Sequence, residues 1–393
     1  MTRRSSPWFD AAPAVLVARL ARVSLATLLV ACSSPAGQPG SVEIRISGEA
    51  AATGGFLFPK GSDVTFRDGW ELAFSHVLVT VADVTLSEDP DRAPSDQSQT
   101  GAVVARVSGP WAVDLAVPGP LAAVGGEGTA TALARIDAEN QRNGAELAHD
   151  ARYAFGYRIV PARAEAARVN FTSDGESEAA YERMLAAGTT LLFVGTATFR
   201  GEHCRTSDPS YDFRALPASV PFELGFATPA RYLNCQNQQN QGDAFQGEEY
   251  QRGLAVPVNQ PAVAELTLHL EHPFFADTVH DTPVYFDQFA AALRDAGSGV
   301  ALEAEDLAAL DPTAFVDARG VALPWRSCLD DGDLPQGSQR GFGVGHVLVD
   351  RAGAPSDVFR NYLDFAAYLE STLGHLNGGE GLCYVARDYP SPR

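Results

Sequence analysis

The first two thirds of the chain alternate short apolar segments with clusters of glycine, proline, aspartate and serine. Residues 41–47 alternate strictly between polar and apolar positions, and residues 72–86 are dense in valine, leucine and threonine. Segments of similar character follow at 103–107, 130–136, 153–160, 189–199 and 220–226. Many short strands separated by turn residues predict a mainly β fold, an antiparallel sandwich or barrel-like arrangement.

Helical patterns are concentrated in the C-terminal third. Residues 178–187 predict one earlier short helix that ends at Gly188. Residues 286–296 and 357–376 each place their apolar side chains on one stripe, which predicts two helices packed on a sheet. A polar stretch at 234–253, rich in glutamine and asparagine, predicts a long loop or an internal boundary.

Between that loop and the later helices, residues 263–272 again alternate strictly. The leucines and Ala264 share one face, while Glu265, Thr267, His269 and Glu271 share the other. This pattern predicts a half-buried strand whose polar face meets water.

The N-terminus has the features of an export signal. Four arginines precede a short apolar run at 23–31, which is too short to span a bilayer. The run ends in Leu29-Val30-Ala31-Cys32, which resembles the lipobox of bacterial lipoprotein precursors. That resemblance covers only about the first 35 residues. It implies cleavage before Cys32 and acylation of its thiol, whereas the alternative is an ordinary secretory signal with an incidental cysteine.

This assignment divides the chain. Residues 1–31 are expected to be the signal peptide and residues 32–40 a lipidated, flexible tether. Residues 41–253 form the predicted β-rich domain, and residues 254–393 a mixed β/α region that either continues this domain or packs against it as a second unit. Because Ser33 rather than aspartate follows the cysteine, the resemblance implies an outer-membrane lipoprotein, facing the periplasm or the cell surface.

Four cysteines remain: Cys204, Cys235, Cys328 and Cys383. They include no C-x-x-C motif, and an even number in an exported chain predicts two disulfides. Three pairings are possible, of which proximity in the sequence favours Cys204–Cys235 and Cys328–Cys383.

The net charge and the absence of known catalytic motifs exclude only a few classes of function. The formal net charge of −20 argues against nucleic-acid binding, because phosphates are bound by lysine and arginine. The chain contains no G-x-S-x-G, H-E-x-x-H or Walker sequence, so no enzyme class is predicted. We therefore expect a membrane-anchored binding or structural module, whose protein or small-molecule partner the sequence does not identify.

One segment carries candidate chemistry for a metal. Within thirteen residues it contains His269, Glu271, His272, Asp277, His280 and Asp281. On a strand His269 and Glu271 point the same way, about 7 Å apart, and a following turn could return His280 with either aspartate. Imidazole with carboxylate suits zinc or copper(II), which makes an envelope metal-binding protein the alternative function. A buried structural role for His272 remains open, and His76 could join from a neighbouring strand.

Overall fold

The computed structural model describes residues 40–59, 64–121, 130–137, 140–141, 146–148, 151–257, 260–278, 282–297, 299–310, 315–330, 334, 359, 361–379 and 381–389. The described strands are β1 (Val42–Ser47), β2 (Trp70–Ser87), β3 (Val103–Val107), β4 (Trp111–Asp114), β5 (Thr131–Ile136), β6 (Arg152–Ile159), β7 (Ala167–Val169), β8 (Leu191–Phe199), β9 (Arg205–Thr206), β10 (Ser219–Phe226), β11 (Ala230–Leu233), β12 (Leu254–Ala255), β13 (Ala262–Leu268), β14 (Leu302–Glu303), β15 (Arg326–Ser327), β16 (Gly374–Leu376) and β17 (Tyr384–Arg387). The described helices are α1 (Glu49–Gly54), α2 (Glu176–Ala187), α3 (Asp287–Ala292), α4 (Ala304–Leu307) and α5 (Tyr362–Glu370), with 3-10 turns at Phe213–Ala215 and His272–Phe274.

The strands form two principal sheets. The smaller has the order β16-β13-β1-β5, and the larger has the order β14-β10-β8-β2-β6-β11-β17 with short strands attached to β2, β4 and β6. Most neighbours are antiparallel, although β1 and β13 run parallel. The arrangement is sandwich-like, which confirms the predicted mainly β fold with a few helices.

One continuous apolar core includes side chains from both sheets. Ile44 and Leu266 contribute from the smaller sheet, and Val79 and Phe155 from the larger. The described residues, from Gly40 to Tyr389, belong to one compact unit. Within the described residues, no helix has both the length and the apolar composition needed to cross a bilayer.

Several predicted elements end earlier than their patterns suggest. The strand predicted at 263–272 stops at Leu268, and a 3-10 turn at His272–Phe274, which accommodates Pro273, follows it. The helix predicted at 357–376 is described from Tyr362 to Glu370, and the Asn361 side chain accepts the Asp364 N–H at its start. The helix at 178–187 is confirmed, and Gly188 ends it in the left-handed conformation.

The two predicted disulfides are present, but the favoured pairing is wrong. Cys204 is bonded to Cys328, and Cys235 to Cys383. The strand register explains the first pair: Ser327 of β15 lies opposite Arg205 of β9, so the next residues along are the two cysteines. The second pair lies just beyond the paired ends of β11 and β17. Non-local strand pairing decided the connectivity, and proximity in the sequence did not.

Candidate metal centre

Three buried histidines meet at one edge of the smaller sheet. His269, His272 and His375 each offer a ring nitrogen, and these three atoms all lie within 4.8 Å of one another. The exposed fraction is 6% for His269 and 0% for the other two. Among the described residues, this is the one group of histidine, cysteine and acidic side chains with such spacing.

The topology of the smaller sheet brings these residues together. Because β1 and β13 are parallel, both end at the same edge, where Ser47 lies opposite Thr267. His269 follows β13 directly and donates its backbone N–H to the Leu373 carbonyl at 2.9 Å. Antiparallel β16 begins at this edge and places His375 opposite Thr267.

The rings are packed in two orientations. His269 and His375 stack with ring centroids 4.1 Å apart and planes 15° from parallel. His272 stands edge-on to both, with centroids 5.7 Å from His269 and 5.6 Å from His375. Two imidazolium cations stacked this closely in a buried place would repel each other strongly, so the packing disfavours a positive charge on both rings at once. Neutral imidazole is the form that binds metals.

A hydrogen bond fixes the tautomer of His272. Its Nδ1 lies 2.8 Å from the Thr372 hydroxyl oxygen, and that hydroxyl donates its only proton to the Leu369 carbonyl at 2.7 Å. The ring must therefore donate from Nδ1–H, and in the neutral ring Nε2 carries the lone pair. A hydrogen bond from one ring nitrogen that orients the other is the usual arrangement around a metal-bound histidine.

Two carboxylates flank His269. Glu49 Oε1 lies 3.2 Å from Nε2, and Glu271 Oε1 lies 3.7 Å from Nδ1. Glu49 reaches this position from the start of α1, just beyond the end of parallel β1, where its backbone has a φ of 56°. Two ligands of one tetrahedral zinc ion are separated by about 3.3 Å, so the Glu49–His269 distance already suits shared coordination.

The imidazole and carboxylate ligands available here suit a metal ion of intermediate hardness. Three imidazoles and a carboxylate are ligands of zinc and copper(II), and the four later cysteines are consumed by disulfides. Zinc–nitrogen bonds of about 2.0–2.1 Å would draw the ring nitrogens closer than their widest spacing of 4.8 Å. Coordination of one ion by all three rings would therefore require side-chain rotations that bring the nitrogens together.

The predicted metal segment is only partly assembled here. His269 and His272 belong to the cluster, and Glu271 adjoins it. Asp277 is not part of the cluster, and its Oδ1 accepts the Thr278 backbone N–H at 2.6 Å. His280 and Asp281 lie outside the described residues. The predicted exposure of the polar strand face is also wrong, because Glu265, Thr267 and His269 are all buried.

The sequence patterns did not indicate His375 or Glu49 as site residues. His375 fell within a helix extrapolated to Leu376, whereas the chain leaves α5 after Glu370. The hydroxyls of Ser371 and Thr372 donate back to the last turn, at Tyr368 and Leu369. Gly374 then enters β16, where a Cβ would lie 2.1 Å from the Tyr157 hydroxyl oxygen. The Ser371-Thr372 pair, with Gly374 two residues later, was the sequence signal that the helix ends before His375. No sequence signal indicated Glu49.

His76 does not join the cluster. Its Nδ1 lies 2.8 Å from Asp114 Oδ2, and that buried carboxylate also accepts the Ser177 hydroxyl at 2.8 Å. Backbone N–H groups of Val77 and Ala116 bind its other oxygen, each at 3.2 Å. These contacts make His76 part of a local polar network within the larger sheet.

Comparison with models of known protein families finds no match to this chain. Comparisons with characterised proteins and with solved structures find no similar protein either. The geometry of the histidine cluster is therefore the basis for inferring a function.

Proposed function

We propose that this protein binds one zinc ion through His269, His272 and His375, with copper(II) as the competing ion. The observation that carries the proposal is the mutual spacing of three buried ring nitrogens, within 4.8 Å. Glu49 supplies the fourth ligand, since its carboxylate already lies 3.2 Å from His269 Nε2. Glu271 and Thr372 orient the rings through the nitrogens that do not bind the ion.

The role proposed for the ion is structural or for storage. Catalytic zinc sites keep one position open for water and substrate, whereas structural sites have four protein ligands. Two of these histidines are fully buried, and the ligands come from three separated parts of the chain. An ion bound there would connect the ends of β1 and β13 to β16, and its binding energy would add to the stability of the fold.

The location proposed for the protein is the bacterial envelope, anchored through acylated Cys32. Cys32 lies outside the described residues, and the support is the lipobox together with two disulfides, which persist in oxidising compartments. The expected effect of Cys32→Ser is loss of the mature membrane-bound form, measured by fractionation of cells. A mature-size variant that still sediments with membranes would contradict the anchor.

The metal proposal is tested by the zinc content of matched variants. His375→Gln should reduce zinc from one equivalent per chain to almost none, because it removes one of three nitrogen ligands. His203→Asn is the control: His203 is exposed, and its φ of 53° is one that asparagine tolerates. If both variants retain the zinc of the natural sequence, or if none of the three proteins binds it, the proposal is wrong.

A further inference from the structure

A polar cleft of about 320 Å³ lies on the larger sheet. Its lining includes Arg106 of β3, Arg158 of β6 and Arg231 of β11, together with hydroxyl side chains of β2 and of the segment between β2 and β3. The volume is within the range of small-molecule sites. In a chain with a net charge of −20, the convergence of three guanidinium groups on one cleft requires an explanation.

The register in which the strands pair places the arginines of the cleft next to one another. Arg106 lies opposite Thr85, and Thr85 in turn lies opposite Gly156. Gly156 leaves the floor of this row without a side chain, and a Cβ there would come within 2.9 Å of the Tyr232 carbonyl oxygen. Arg158 and Arg231 lie directly opposite each other on β6 and β11, a pairing of like charges that usually destabilises a sheet.

The positive charge of the cleft is only partly neutralised. Arg158 pairs with Asp83 at 3.3 Å, and Asp388 lies 3.6 Å from Arg158 and 3.2 Å from Arg231. No described residue forms an ion pair or a hydrogen bond with the exposed Arg106 side chain. Three guanidinium groups thus share two carboxylates, which leaves an excess positive charge at Arg106.

Two lining residues also have unused hydrogen-bonding atoms. The Arg158 Nε–H is buried, and no described residue accepts it. Asn234 is 2% exposed and uses both of its amide protons, on Pro90 and Gln97, while its Oδ1 accepts no hydrogen bond from a described residue. Such groups are costly when buried alone and are commonly satisfied by a ligand or water.

We infer that this cleft binds a small hydroxylated organic anion, such as a sugar acid or a sugar phosphate. The carboxylate or phosphate pairs with Arg106 and the Arg158–Arg231 pair, since guanidinium forks match both groups. The threonine and serine hydroxyls of the lining bind the hydroxyls of the ligand. This site is separate from the histidine cluster and does not depend on metal binding.

The test is calorimetric titration of the purified protein with D-glucuronate, glucose 6-phosphate and glucose. One of the two anions should bind saturably, and the neutral sugar should not, at concentrations up to about 10 mM. The preferred anion distinguishes carboxylate from phosphate recognition. Binding should weaken as ionic strength rises, because the exposed charge of Arg106 is screened by salt.

Arg106→Gln should weaken binding by about tenfold or more, because it removes a charge-assisted contact. Its melting temperature should not change, since Arg106 has no described partner to lose. Arg183→Gln is the matched control: this exposed arginine of α2 pairs with Glu223 outside the cleft. The inference is overturned if neither anion binds, if glucose binds equally well, or if both variants lose affinity to the same extent.

Discussion

His269 and His375, more than a hundred residues apart in the sequence, stack their imidazole rings at a centroid distance of 4.1 Å. The stack depends on two neighbouring strands, because His269 follows the last residue of β13 and His375 lies within antiparallel β16. Together with His272 it places three ring nitrogens within reach of one ion. A metal centre differs from a histidine cluster that only packs and forms hydrogen bonds in its response to zinc and to substitution of the residues around it.

Thr372→Val should weaken zinc binding by about tenfold, because His272 loses the acceptor that holds its Nδ1–H. The affinity is measured by competition with a chromophoric chelator. Thr372→Ser keeps the hydroxyl and should bind zinc like the natural sequence. If the valine variant lowers the melting temperature but leaves the zinc affinity unchanged, the hydrogen bond serves packing alone.

Glu49→Gln should also weaken zinc binding, since a neutral amide is a poorer ligand than a carboxylate. A loss of about tenfold or more is expected in the same competition assay. Glu43→Gln is the control, because Glu43 lies on β1, the strand that precedes Glu49, and pairs with Arg45 at 3.0 Å instead. Equal affinities for the two variants would remove Glu49 from the site.

Glu370 should make the stability of the protein fall as pH rises. Burial raises the pKa of this carboxyl group to about 8, while hydrogen bonding from Thr228 and the charge of Arg387 act in the opposite direction. Between pH 4.5, the ordinary pKa of the group, and about pH 8, only the unfolded chain releases the proton. The resulting carboxylate is solvated by water in the unfolded chain, so ionisation stabilises the unfolded state relative to the folded state. The contribution of Glu370 to stability is therefore fully present below pH 4.5 and is lost as pH approaches 8.

Urea unfolding of Glu370→Gln at pH 5 and at pH 8.5 measures this effect. The variant should be more stable than the natural sequence at pH 8.5, and the difference should shrink or reverse at pH 5. A difference that is the same at both pH values would contradict the assignment.

The disulfide connectivity is checked by peptide mapping without reduction. Linked peptides should contain Cys204 with Cys328 and Cys235 with Cys383. Replacing Cys235 and Cys383 together by serine should lower the free energy of unfolding by about 2–5 kcal/mol, because the cross-link restricts the unfolded chain. A peptide that joins Cys204 to Cys235 would contradict the strand register of β9 and β15.

The sequence predicted local structure better than contacts between distant segments. The segments that became β6 and β10 were located by the turn residues that separate them from their neighbours. Alternation located β1, because a half-buried strand repeats every two residues. The same rule misjudged the polar face of β13, since Thr267 and His269 are covered by parts of the chain that alternation does not identify. Helical periodicity predicted a helix that continues beyond the end of α5, because leucines continue on the same stripe through Leu373 and Leu376.

The candidate site was predicted to the same limited extent. His269 and His272 could be identified because they lie close together in the sequence. His375 and Glu49 could not, because their proximity depends on the order β16-β13-β1 in the smaller sheet. The predicted cysteine pairing was wrong for the same reason, since Cys204 meets Cys328 only through the pairing of β9 with β15.

Calorimetric titration of zinc into the metal-free natural sequence tests the central claim most directly. The three histidines predict one saturable event with a stoichiometry of one ion per chain and a dissociation constant at or below the micromolar range. Excess zinc should then raise the melting temperature, since an ion bound only to the folded state stabilises it by mass action. A titration without a saturable event at micromolar concentrations would contradict the claim and leave His269, His272 and His375 as a packed, hydrogen-bonded cluster.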